Sequence, residues 1–392
     1  MRRKKAGAGW KRRIFLLTVL WVFGSCRLAR AASSPAAARA LNRFVNKRLE
    51  QMSIEEKAAQ LFVVTPEALT GVDMATQAGE ITREAFNRCP VGGLIFFEQN
   101  IQSAQQIKQM LAGVSKFSEE RMNLPLFTCV DEEGGSVARL SGRGLEGIPR
   151  IPSMSVLALE GEETVQQAGR TIGTYLNELG FNVDLAPVAD VPVNPENTVI
   201  ASRAFSSDPA EAARMTKAFV RGLTAAGVLA TLKHFPGHGN TSQDSHTQSA
   251  VSDAEWEQLR ERDLLPFAAG IEEGAQLVMA GHISLPEVTG ESTPASLSHE
   301  ILTGLLRKEM GYTGLIITDA LNMAAVTQIA SPSGAAVKAF LAGADLLLMP
   351  ADFREAYEGI LSAVRSGEIS QERLDASVKR ILRVKLGMQT GK

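Results

Sequence analysis

Residues 227–247 read GVLATLKHFPGHGNTSQDSHT. The first six form an apolar run with strand character. The polar remainder holds three of the five histidines, with Lys233 directly before His234 and Asp244 two residues before His246. Pro236, Gly237 and Gly239 stop any helix from carrying the pattern onward. An ionisable loop on the end of a buried strand is where barrel and doubly wound enzymes keep their chemistry.

The same grammar repeats along the chain. Short runs rich in Val, Ile, Leu and Phe occur at 61–65, 93–97, 126–130, 183–188, 228–232, 277–279, 315–318 and 345–349. Gly, Pro or a polar residue bounds each one. Amphipathic helical patterns lie between most of them, over 103–120, 162–179, 209–226, 253–273 and 298–310. Strand–helix alternation repeated eight times predicts an α/β protein with a parallel sheet covered on both faces. Over about 330 residues it favours a single closed (β/α)8 TIM-type barrel, with some irregularity and extra N- and C-terminal helices. Ser53-Ile-Glu-Glu56 is a capping box near the start. Residues 371–386 form the last helix, with Leu374, Val378, Ile381 and Leu382 on one face.

The N-terminal end is built differently. A basic stretch through Arg13 precedes a mostly apolar run at 14–24, too short to span a bilayer comfortably. Ala29-Arg30-Ala31 is a small-x-small cleavage site, so residues 1–31 read as a signal peptide and 32–40 as a short Ala/Ser-rich tether before a barrel domain at 41–392. This predicts export to a periplasmic or secreted location. In a competing reading Phe23-Gly24-Ser25-Cys26 is a lipoprotein signal, and Cys26 carries a lipid anchor to the membrane. Residues 1–31 hold nine of the 41 Lys+Arg and none of the 43 Asp+Glu, leaving 32 basic and 43 acidic residues, a net charge of −11. So acidic a mature chain is a poor nucleic-acid binder. With three cysteines there is no disulfide scaffold, and Cys89 and Cys129 read as packed thiols.

The residues at the exit of each apolar run are the informative feature. Asp131-Glu-Glu-Gly-Gly135 comes directly after the third run, Lys233 and His234 after the fifth, Gly281 and His282 after the sixth, and Asp319 after the seventh. In a parallel barrel these groups gather at the C-terminal mouth and suit a polar ligand. A metal is the first alternative, since His234 and His238 are four apart. The Pro-Gly break and the missing Glu remove the helical metalloprotease motif. A barrel metallohydrolase could still collect His234, His282 and an aspartate, but no metal or other cofactor is expected.

KHFPGHG (233–239) and then TSQDSH (241–246) resemble the signature of glycoside hydrolase family 3, in its bacterial β-N-acetylglucosaminidase (NagZ-type) branch. MSIEEK (52–57), PVGGLIF (90–96), VDEEGG (130–135) with Arg139, APVAD (186–190), SRAF (202–205) and ITDALNM (317–323) resemble further family segments. The resemblance implies an exo-acting, retaining enzyme that removes non-reducing terminal β-linked N-acetylglucosamine. Asp319 would be the nucleophile, and His246 the acid/base held by Asp244, on a loop expected to close over bound substrate. Asp131, Arg139, Arg203, Lys233 and His234 would line the sugar pocket, with Asp190 and His282 behind them. The implied partner is a small carbohydrate, a β-N-acetylglucosaminide or a muropeptide from peptidoglycan, and the protein is expected to be a monomer. The chain departs from the family at Glu132, commonly Gln, at Ser136, commonly Arg, and at Ala320, often a second aspartate. Alternatives are a phosphorylase or a β-glucosidase of the same family, or an exported sugar-binding protein without catalysis.

Overall fold

The computed structural model describes residues 35–241 and 250–389. The segment read as a signal peptide, including Cys26, lies outside the described residues, as do Asp244 and His246. Residues 33–392 make one compact unit.

Eight parallel strands form the core sheet: β1 (Phe62–Val64), β2 (Gly93–Ile95), β3 (Phe127–Val130), β4 (Val183–Asp184), β5 (Leu229–Phe235), β6 (Leu277–Ala280), β7 (Leu315–Thr318) and β8 (Leu347–Leu348). Each falls within, or overlaps, one of the eight apolar runs. Their order is β7-β6-β5-β4-β3-β2-β1-β8. A parallel bridge between Ile317 and Leu346, with Thr318 N–H donating to the Leu346 carbonyl at 3.0 Å, brings β7 and β8 together into a nearly closed barrel. The irregularity is local: β4 and β8 are two residues long, and the β5–β6 register shifts between Leu232 and Phe235.

Helices at 104–122, 162–179, 209–225 and 264–273 cover the outside of the barrel. Their starts are written in the sequence. Ser103 accepts from Gln106 N–H at 3.1 Å, and Asp208, ahead of Pro209, accepts from Glu211 N–H at 2.8 Å. The expected capping box at Ser53 and Glu56 is formed in both directions. Residues 259–263 and 300–309 are wound as π-type helix, which periodicity alone does not distinguish from α-helix.

One boundary differs from expectation. The first helix runs from Pro35 to Gln51, so part of the segment read as a tether is helical. Pro35 opens the helix and Ala36–Ala38 continue it. Alanine is the best helix former, and proline suits the first turn. A low-complexity Ala/Ser/Pro stretch therefore need not be a linker.

The last helix, Gln371–Gln389, ties the chain's end to the barrel floor. Asp345, buried just before β8, pairs with Arg307 and with Arg380 Nη1 (2.9 Å), and accepts from Ile316 N–H (3.0 Å). Lys385 is fully buried from the same helix. Its ammonium donates to Gln60 Oε1 at 2.7 Å and lies 5.0 Å from the centre of the Phe127 ring. Burial drives its pKa down to about 7, although the Cys129 thiol opposes this.

The unfolded chain keeps the Lys385 proton up to about pH 10.5, whereas the folded one releases it from about pH 7. The penalty for burying the charge is thus complete below about pH 7, and stability rises with pH between these values. Lys385→Met should raise the melting temperature by a few degrees at about pH 6, and by less at about pH 10. Thermal melts at the two pH values check this; an equal shift at both would refute the charge-burial account.

Candidate active site

The C-terminal ends of β3, β5, β6 and β7 carry the polar groups that the sequence placed there. Asp131, Glu132 and Glu133 leave β3 in extended backbone, where alternate side chains share a side. Asp131 and Glu133 both turn to Lys233, whose Nζ lies 2.7 Å from Asp131 Oδ1 and 2.6 Å from Glu133 Oε1. Glu132 goes the other way. It accepts from the Leu140 and Ser141 N–H groups (2.8 and 2.9 Å) and from the Tyr175 hydroxyl (2.8 Å), fixing the loop beyond. Gly134 and Gly135 make the turn at φ 83° and 61°. A side chain at 135 would meet the Ser153 backbone at 2.8 Å, so glycine is required there.

Arg203, from the connection after β4, donates Nε and Nη2 to the two Glu133 oxygens, both at 2.8 Å. Glu133 thus holds two cations in a space with almost no solvent. Burial would raise its pKa, but Lys233 and Arg203 outweigh that and bring it to about 2. The same carboxylates, against the opposing pull of burial, hold Lys233 above the ordinary lysine value. Sequence reasoning named Lys233 and Arg203 but gave Glu133 no role. The signal was available in the acidic run on a strand exit, read at period two.

His234 is the last-but-one residue of β5 and is buried. Asp190 accepts from its Nδ1 at 2.8 Å and from its backbone N–H at 3.2 Å, and from the His238 N–H at 2.8 Å. A carboxylate on Nδ1 fixes the ring and leaves Nε2 as the nitrogen available for other contacts. Burial would raise the Asp190 carboxyl, yet His234 keeps it below its usual range. The Lys233–His234 and Phe235–Pro236 peptides are both cis. His238 turns to Thr241, Nδ1 to Oγ1 at 2.7 Å, and shapes the turn after β5.

Asp319 comes immediately after β7 and is half-buried. Its backbone N–H donates to the Ala280 carbonyl (2.8 Å), and its Oδ1 accepts from Ala320 N–H (2.8 Å). Burial would raise its pKa, but His282, then His234, the Ala320 N–H and Lys233 outweigh it and hold it below the usual carboxylate value. The group is a carboxylate at neutral pH.

Arg139 sits apart from this cluster. It lies on the rim with Nη1 3.3 Å from Glu98 and its guanidinium 5.6 Å from the Phe97 ring centre. Its Nε is enclosed without a hydrogen-bond partner among the described residues. Nor does any group of three or more His, Cys, Asp or Glu there have the geometry to hold a metal ion. The structure thus brings Asp131, Lys233, Arg203, His234 and Asp319 to one mouth and sets Arg139 on its edge. Asp244 and His246 fall within 242–249, outside the described residues, so these positions do not bear on the acid/base role.

A parallel barrel with ionised carboxylates, a buried lysine and an oriented histidine at its C-terminal mouth belongs with the barrels that bind and process small polar substrates there. The family profile described as glycosyl hydrolase family 3 N-terminal domain matches residues 53–384. The chain is 37% identical over 336 residues to "Beta-hexosaminidase A" of Pseudoalteromonas piscicida, covering 80% of this chain and 56% of that one. To a "Beta-hexosaminidase" of Stenotrophomonas maltophilia it is 36% identical over 264 residues, covering 66% and 76%. Among solved structures, a family 3 β-N-acetylglucosaminidase from Paenibacillus sp. superposes with a TM-score of 0.81 at 35% identity, covering 87% of this chain and 64% of that one. The chain therefore spans little more than half of the Pseudoalteromonas relative's length. It belongs to glycoside hydrolase family 3.

Removing Glu133 would leave Lys233 and Arg203 buried with too little negative charge. Glu133→Gln should lower stability by roughly 3–5 kcal/mol in urea unfolding. Because Glu133 is depressed, its stabilisation is complete above the unfolded value near 4.5 and is lost as pH falls toward about 2. Above about pH 5 the gap between the two proteins should be constant, and it should narrow in acid. A gap that widened in acid would contradict the pairing.

Proposed function

We propose that this protein is an exported, exo-acting, retaining β-N-acetylglucosaminidase. It removes the non-reducing terminal β-linked N-acetylglucosamine from small, peptidoglycan-derived glycans outside the inner membrane. The observation that carries the reading is Asp319: an ionised carboxylate at the exit of β7, fixed by backbone and faced by His234 and Lys233, in a family 3 chain. Relatives bearing the names β-hexosaminidase and β-N-acetylglucosaminidase support the choice of sugar.

Asp319 attacks the anomeric carbon as the glycosidic C–O bond breaks, and a glycosyl ester forms on its carboxylate. His246 gives its proton to the departing oxygen. It then takes a proton from the water that cleaves the ester, so acid and base are one residue and configuration is retained. A histidine with an unperturbed pKa of ~6.5 can play both parts near neutral pH. Asp244 orients it and favours its protonated form. The residues around the sugar act as fixed donors and acceptors. Asp131 accepts hydroxyls, while Lys233, Arg203, His234 Nε2 and the Arg139 guanidinium on the rim are the donors for hydroxyls and the acetamido oxygen. The apolar run at 14–24 and the Ala29-Arg30-Ala31 site support export.

Asp319→Ala should abolish turnover of an aryl β-N-acetylglucosaminide; turnover at the wild-type rate would end the nucleophile assignment. His246→Ala should lower kcat by about 10²- to 10⁴-fold with natural leaving groups and much less with activated aryl ones. Equal losses on both would argue against the acid. Across aryl glycosides, the β-N-acetylglucosaminide should be turned over well ahead of β-glucoside and β-xyloside. Accumulation of sugar 1-phosphate in phosphate buffer would instead mark a phosphorylase.

A further inference from the structure

His282 is fully buried at the exit of β6 and, beside its electrostatic influence on Asp319, makes two hydrogen bonds that the chemistry above does not use. Its Nε2 lies 2.9 Å from the Ala320 carbonyl oxygen and its Nδ1 2.7 Å from Ser296 Oγ. A carbonyl can only accept, so Nε2 carries a proton. Nδ1 shares the second hydrogen bond with the Ser296 hydroxyl, which donates to a neutral ring and accepts from a protonated one. Ser296 is itself buried, and its backbone N–H donates to the Gly281 carbonyl at 3.0 Å. The ring of His282 is thereby held from behind.

Ala320 is the residue whose N–H donates to Asp319 Oδ1. Its methyl side chain offers nothing polar to hold its own position. The turn 319–321 is instead fixed from outside. Asp319 N–H donates to Ala280 and Leu321 N–H to Leu348 (2.9 Å), while the carbonyl between them accepts from His282. The mount of His282 has little slack, since a side chain on Gly281 would come within 3.0 Å of His234 Cβ.

We propose that His282 is a positioning residue for Asp319. It clamps the Ala320 carbonyl through Nε2–H, so that the Ala320 N–H stays on Oδ1 and Asp319 keeps one rotamer, and Ser296 holds the ring in the orientation that makes this possible. The inference rests on the assignment of Asp319 as nucleophile. A fixed carboxylate needs no search for the attacking geometry, which is where a small displacement costs rate. The clamp does not touch the sugar, so it acts on the bond-forming step and leaves sugar affinity alone.

Asparagine and glutamine at 282 separate the two ring nitrogens, because glutamine reaches to the Nε2 position and asparagine only to Nδ1. His282→Asn should lower the limiting rate of Asp319 labelling by a mechanism-based fluoroglycoside of N-acetylglucosamine, and kcat with it, by roughly 10- to 100-fold. The inhibition constant of free N-acetylglucosamine should not change. His282→Gln should recover most of the rate. Equal rates in the two variants, or a loss confined to the inhibition constant, would overturn the proposal. Melting curves accompany each variant. Should His282→Asn fail to fold, Ser296→Ala, which leaves the imidazole in place, must by itself lower the labelling rate severalfold, and a wild-type rate there refutes the clamp. An inactive Asp319→Ala beside a wild-type-like His282→Asn removes this inference alone. An active Asp319→Ala removes the nucleophile assignment on which it stands.

Discussion

The Lys233 ammonium, held between Asp131 and Glu133, is the interaction on which the rest of the mouth depends. It joins the exit of β5 to the exit of β3 through the barrel's interior. Glu133 then extends the join to Arg203 on the connection after β4. Each of these charges would be prohibitively placed alone. Together they satisfy one another, and the pairs survive burial because the hydrogen bonds are short and, at Arg203, bidentate. The network also sets the local potential. Its lysine adds, after His282, His234 and the Ala320 N–H, to what keeps Asp319 ionised against burial.

Much of this was readable from the chain. All eight strands lie within or across the apolar runs, because a strand covered on both faces must be apolar along its length. The helix starts at Ser53, Ser103 and Asp208 are set by capping chemistry. What periodicity could not provide was the third dimension of the polar groups. Asp131 and Glu133 are two residues apart on a strand exit, so they share a side, whereas Glu132 between them serves the Leu140–Ser141 turn. Nothing local in the sequence says that Arg203, seventy residues away, will take both Glu133 oxygens. The Ala-rich start at Pro35 failed for the opposite reason. Its composition was read as a linker, although alanine's lack of side-chain entropy favours helix.

The same distinction separates the residues that bind from those that hold. Asp190 and Asp345 are both fully buried carboxylates. Asp345 answers arginines at the barrel floor and closes the fold, as Arg307 and Arg380 show by their approach from different helices. Asp190 answers His234 and two backbone N–H groups at the mouth, and its effect is to aim a ring. Burial alone therefore does not mark function. The end of the barrel at which a carboxylate sits, and whether its partner has another polar atom to spare, decides between the two.

The exit of β6 is the crossing point of these contacts. Ala280 receives the Asp319 N–H, His282 holds the Ala320 carbonyl, and Ile283–Ser284 pair with Ala250–Val251. Ala250 is the first described residue after the stretch that contains Asp244 and His246. At the other end of that stretch, Thr241 is bound to His238, which is itself fixed by Asp190. The described residues on either side of 242–249 are thus anchored to elements that also position His234 and Asp319. The exit of β6 is therefore the element that joins Ala250 and Val251 to the turn that carries Asp319.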